Sequence, residues 1–366
     1  MCRHAARTSG SRTAGVVRIV VLRFPKRSLI VKVTMAVLAV LAVLLPGCGG
    51  GSGGGESGDS AFRVGMVFDV GGKGDRSFND SAFEGMDRAR RELGIVASEF
   101  EPSGDSDREV GLRKLAAHGY EVVVGVGFLF TDSIRSVATD FPETHFVLVD
   151  GYIEDMPNVV SLVFRENEGS FLVGALAAMA SKTGVVGFVG GMDIPLIHKF
   201  EAGYAAGAQR VNPDARVLVG YAGVRPEAFT DPVRGKEIAL SQFRQRADVV
   251  FHAAGVTGLG VIEAAREKGL FAIGVDANQN DVAPGTVLTS MIKRVDNAVY
   301  RAILASHSGE FRGGLLELGL AEGGVGYSVD EHNRHLLTPE MLEVIQALSD
   351  SVIAGEIEIP VETGRS

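Results

Sequence analysis

From Phe62 onward, short apolar runs rich in β-branched residues alternate with longer helix-like stretches, and that alternation leaves few folds open. The runs lie at 62–70 (FRVGMVFDV), 120–128, 144–151, 158–164, 184–191, 215–222, 247–255, 270–276 and 286–292. Several are apolar on successive rather than alternate residues, as strands covered on both faces require. Between them, 81–94 (SAFEGMDRARRELG), 107–119 and 259–269 carry helical spacing. They end at Gly94, Gly119 and Gly269, where a left-handed glycine closes a helix. Strand–helix alternation of this kind predicts βαβ units, parallel sheets and an α/β class. The pattern runs twice, over about 62–164 and about 184–292, with the helical stretch 170–184 between the halves. Two doubly wound lobes would face each other across a cleft lined by the carboxyl ends of their strands. The expected division is lobe 1 over 61–165, with a crossover helix at about 294–310, and lobe 2 over 166–293. Pattern alone leaves 311–366, including an amphipathic helix at 338–357, without a lobe.

A different kind of sequence precedes this body. The apolar run from Met35 stops at Gly47-Cys48, behind a basic flank of Lys26, Arg27 and Lys32, and a Gly/Ser-rich segment follows to Ser60. The run is shorter than the ~20 apolar residues of a spanning helix and has the layout of a secretory signal. Leu45-Pro46-Gly47-Cys48 resembles a bacterial lipobox. That resemblance implies a signal peptide over 1–47, lipidation of Cys48 and a flexible tether over 48–60. The 34 residues before Met35 are long for a signal, so initiation is expected at Met35 or a nearby codon. The chain is expected at the cell membrane, lipid-anchored on the extracytoplasmic face.

Charge and cysteine content narrow the partners. The first 47 residues hold eight of the 36 Lys/Arg and none of the 45 Asp/Glu, which leaves the remainder at a formal −17. So acidic a body is a poor partner for nucleic-acid phosphates. Cys2 and Cys48 are the two cysteines, so neither a disulfide framework nor a thiolate metal cluster is expected.

Several catalytic signatures fail on spacing. Gly255 to Gly260 follows a strand and opens a helix, but reads GxxGxG rather than GxGxxG. GGKGDRSF has a lysine among glycines without the GxxxxGK[ST] of a phosphate loop. Asp193, His198 and His252 lack metal-ligand spacing, and His198 is expected to border the cleft. No GxSxG elbow occurs in the body from Phe62 onward. These absences argue against an enzyme.

The first strand closes on Asp69, turns at Gly71 and Gly72, and sets Phe78 and Asn79 just before a helix. This stretch, 66–85, resembles the opening signature of the basic-membrane-protein family of bacterial substrate-binding lipoproteins. Matching blocks follow in order at 123–134, 145–150, 187–207, 253–265, 272–281 and 287–299, so the resemblance runs from Phe62 to about Pro360. It implies a type I periplasmic-binding-protein fold, two doubly wound parallel-sheet lobes with a hinged cleft. It implies no cofactor, and a role in capturing purine nucleosides for the permease and ATPase of an ABC importer. Carried over residue by residue, Phe78 and Phe200 stack the base, while Asp276 and Lys293 contact the ribose. Asp69 and Asn79 face the base edge or sugar, Asp150 ends a strand at the same rim, and Gly255 lets backbone amides approach the ligand. Asn278 stands where many members carry an acidic residue. Taken singly, the phenylalanines also fit core positions and the aspartates helix caps. The same fold could take a sugar or an autoinducer, or present its ligand to a signalling receptor.

Overall fold

A computed structural model describes residues 61–364; the signal segment, Cys48 and the tether lie outside the described residues. The first half runs β1 (Arg63–Val67), α1 (Phe78–Leu93), β2 (Val96–Phe100), α2 (Asp105–Ala117), β3 (Val122–Gly125), α3 (Thr131–Asp140), β4 (His145–Val149) and β5 (Val159–Phe164). The second runs α4 (Glu166–Ala180), β6 (Val185–Met192), α5 (Pro195–Val211), β7 (Arg216–Gly223), α6 (Pro232–Arg244), β8 (Val249–Ala253), α7 (Thr257–Lys268), β9 (Phe271–Asp276) and β10 (Val287–Lys293). The chain ends with α8 (Val295–His307), β11 (Gly314–Leu318), β12 (Val325–Tyr327) and α9 (Pro339–Ile353).

The strands form two six-stranded sheets, ordered β11-β5-β4-β3-β1-β2 and β12-β10-β9-β8-β6-β7. The first is parallel throughout. In the second only the β10–β12 pair is antiparallel. The class is therefore α/β with two parallel-dominated, type I binding-protein-like lobes. Leaving aside β11 and β12, both sheets follow one winding, so β1 to β5 correspond to β6 to β10 in turn. In each the order reverses between the first and third strand, and open α/β sheets bind ligands outside their carboxyl ends at that reversal.

All nine strands expected from apolar runs are present, because central strands such as β3, β4, β8 and β9 are buried almost along their length. The three strands without such a signal, β2, β11 and β12, are all edge strands. Solvent on an edge removes the demand for continuous apolar sequence, and β2 (VASEF) has no fully buried residue. The final segment divides between the sheets: β11 pairs with β5 and β12 with β10. Helix α8 packs on α1, β3 and β4, and α9 packs on α4.

Helix α4 begins at Glu166, four residues ahead of the expected Ser170, on a polar stretch whose Glu166 and Asn167 are nevertheless buried. It packs against α5 with backbones nearly touching. A Cβ at Gly207 would run into the Phe171 carbonyl oxygen, and one at Gly174 into that of Tyr204. No side chain can relax such a clash, since the obstructing atom belongs to the other helix's backbone. Gly207→Ala is expected to cost at least about 2 kcal/mol, read as a lower urea midpoint at unchanged slope.

Candidate functional site

The carboxyl ends of both sheets converge on one cavity. Its walls come from the two reversal points: Asp69 follows β1 and Phe128 follows β3, while α5 follows β6 and Ala254 and Gly255 follow β8. All eight residues singled out from the sequence line it: Asp69, Phe78, Asn79, Asp150, Phe200, Gly255, Asp276 and Lys293. The structure adds Asp75, Phe128, Leu196, Ile197 and Phe229. Phe128 and Phe229 sit in short 3-10 turns, which no periodicity marks.

Phe78 enters from the first sheet's side on α1, and Phe200 from the second's on α5. Phe78 is the first residue of α1 rather than a residue ahead of it, because α1 starts three positions before the expected Ser81. Asp75 explains the early start. It accepts from the backbone N–H of Ser77 (2.9 Å), Asn79 (2.9 Å) and Asp80 (3.1 Å), filling donors the helix leaves open. Asn79 is committed in the same way: its Oδ1 accepts from Asp69 N at 2.9 Å and its Nδ2 donates to Asp75 at 3.0 Å. It lines the cavity while bracing the loop. Gly255 has φ +54, a left-handed backbone that suits glycine, and a Cβ there would come tight against the Phe229 carbonyl.

Asp150 follows β4 directly and Asp276 ends the corresponding strand β9, and both have positive φ, 63° and 62°. Aspartate tolerates this region better than most residues. Each is bonded from the opposite sheet. Lys293 Nζ, at the end of β10, donates to Asp150 at 2.6 Å, and Ser77 Oγ donates to Asp276 at 2.7 Å. Lys293 is 2% exposed and also lies 3.0 Å from Glu166, the buried first residue of α4. Burial alone would push its ammonium down; the Asp150, Glu166 and Asp276 carboxylates hold it above its ordinary value. The ammonium stands 5.2 Å from the Phe78 ring centroid and 5.7 Å from that of Phe200, so cation and both rings share one space.

The other carboxyls lack a cation so close. Burial pushes Asp69 up to about 7, against a bond from Val70 N and the charge of Arg108. It pushes Asp276 up to about 6, against Lys293 and Ser77. His198, expected to border the cleft, is not among the residues that line the cavity and bonds to Asp193 at 2.6 Å. Asn278 donates to Asp330 outside the cavity. His252 is a neutral core residue, its imidazole pushed down to about 4 by burial.

The family model of PnrA-like ABC-transporter substrate-binding proteins, Bmp, matches residues 62–363, a span that takes in both sheets and every cavity residue. The chain belongs to this family. Its members are substrate-binding components of ABC transporters, working with a permease and an ATPase, and are not enzymes. The chain is 33% identical over 320 residues to the ABC transporter nucleoside-binding protein BmpA of Lactococcus lactis, covering 81% of this chain and 89% of that protein. It is 34% identical over 342 residues to an uncharacterised lipoprotein of Pyrococcus furiosus, covering 81% of this chain and 84% of the relative. The crystal structure of an ABC-transporter solute-binding protein from Aeropyrum pernix superposes with a TM-score of 0.76 at 34% identity, covering 83% of this chain and 94% of the other. For this Bmp-family protein the cavity between the sheets is the candidate substrate site.

The raised carboxyls make stability depend on pH. Both folded values lie above the ordinary 3.8, so the fold favours the protonated groups. That contribution is complete below about 4 and is lost as pH rises through about 6 for Asp276 and about 7 for Asp69. Asp69 is partly open to the cavity, which reduces the effect. Asp69→Asn is expected to stabilise the protein by about 1–2 kcal/mol at pH 8 and by little at pH 4, measured by urea unfolding at each pH.

Proposed function

We propose that this substrate-binding protein captures purine nucleosides between its two lobes, is anchored by lipid at Cys48 on the extracytoplasmic face, and delivers its ligand to the permease. The observation that carries the reading is the pair of phenylalanines, Phe78 and Phe200, brought from opposite lobes to one cavity that also holds Lys293, Asp150 and Asp276. A purine base is flat and aromatic on both faces, and each offset stack adds about 0.5–1.5 kcal/mol beyond area burial. Ribose hydroxyls donate and accept, so carboxylates and an ammonium held in fixed positions suit them. Asp150 Oδ1 is buried without a hydrogen-bond partner and is free to accept from a hydroxyl. The name of the Lactococcus lactis relative points to the same ligand class.

Calorimetry tests the assignment on the compact unit from Gly58 onward, unfolded and refolded to strip bound ligand. Inosine, guanosine and adenosine are expected to bind saturably, cytidine more weakly, and ribose without measurable heat. Phe200→Ala is expected to weaken purine nucleosides at least tenfold, since it removes one stacking face and its burial. Lys293→Ala is expected to weaken them by a similar factor, because Asp150 and Asp276 then face the sugar without the buried ammonium beside them. Silence with every nucleoside from demonstrably refolded protein refutes the assignment.

A further inference from the structure

The loop from β1 into α1 bonds directly to the opposite lobe through groups that do not line the cavity. Arg76 Nη2 lies 2.6 Å from Asp281 Oδ2, in the short turn after β9. Gln279 Nε2 donates to the Arg76 carbonyl at 3.1 Å. Neither Arg76, Gln279 nor Asp281 is among the cavity-lining residues. Both sides of this contact are rigidly built. Arg76 has a left-handed backbone, φ 54°, held by Asp80, which accepts from Gly74 N at 2.7 Å and from Arg76 N at 3.0 Å. Gln279 is fully buried; its Oε1 accepts from Val275 N at 2.9 Å and its backbone N donates to Ser290 Oγ at 3.0 Å. Little conformational freedom remains to be lost when the two meet.

We infer that Arg76, Gln279 and Asp281 form a latch between the lobes, which sets how long a captured ligand is held without affecting which ligand is chosen. The inference rests on the substrate-binding role and not on the identity of the ligand. Bonds made only between apposed lobes stabilise the closed form and slow its opening, so they act on dissociation. Because their atoms do not reach the cavity, they change the lifetime of every ligand by the same factor. The Arg76 and Asp281 side chains are 49% and 50% exposed, so the ion pair alone is modest and is screened by salt.

Charge reversal with rescue tests the latch in the chain from Gly58 onward, which has no cysteine of its own. Spin labels at Lys114→Cys on α2 and Lys268→Cys on α7, both exposed positions, report the distance between lobes. Arg76→Glu and Asp281→Arg are each expected to broaden that distance toward open forms and to raise the dissociation rate of inosine about fivefold. The double reversal is expected to restore both, and the inosine-to-guanosine affinity ratio should stay within about twofold throughout. Unchanged distances and rates in both single variants overturn the latch. So does a double variant that restores neither, and a shifted affinity ratio overturns its indifference to ligand. If inosine does not bind, the label distances still decide the latch, and the failure falls on the nucleoside assignment alone.

Discussion

An ammonium group buried among carboxylates joins the two halves of this protein and sets the character of its cavity. Removing a lone charge from water costs several kcal/mol, so Lys293 can be 2% exposed only because Asp150 and Glu166 lie within hydrogen-bonding reach. The partners come from just after β4 and from the start of α4, and Lys293 from the end of β10, so one ion cluster ties three separate strand ends. Lys199 touches Glu166 from the solvent side at 3.4 Å and completes the cluster. With Asp69 and Asp276 close by, the cavity offers more acceptors than donors. A ligand satisfies it chiefly by donating hydrogen bonds.

Topology puts this chemistry where it is. Each lobe reverses its strand order once, and the connections leaving that reversal open onto the cavity. They supply Asp69, Phe128, Gly255 and the start of α5, which carries Phe200. Rings and charges therefore arrive from both lobes in nearly equal share, and neither lobe has a complete site. A molecule filling the cavity touches both lobes at once.

The strands buried on both faces were legible as apolar runs, and so were the helix ends at Gly94 and Gly269, whose φ values are 70° and 63°. Three of the four edge strands, β2, β11 and β12, were not legible, because solvent takes over part of the work that a neighbouring strand does elsewhere; β7 was legible from its run at 215–222. The eight residues found lining the cavity were singled out through ordered motif blocks rather than through chemistry visible in any one of them. What escaped was polar and buried. Glu166 sits in Glu-Asn-Glu-Gly, which has the composition of a loop, and its burial has meaning only beside Lys293, far along the chain. Asp75 looked like one more loop aspartate, yet it shapes the entry to α1. Neither role has a local signature, since each is defined by a partner that folding brings up.

The two lobes share one winding, and the ends of β4 and β9 carry aspartates with the same backbone twist, Asp150 and Asp276. A site built on such a repeat would accept a guest two ways round, with equal energy, if the correspondence were complete. It fails one strand further on. Where β10 ends in Lys293, its counterpart β5 ends in Phe164, and the ammonium lies 5.0 Å from that phenyl ring. This pair of non-equivalent residues, together with Phe128 after β3 against Ala254 and Gly255 after β8, gives the cavity a polarity. Head and tail of the guest become distinguishable inside a container whose walls were wound to the same plan.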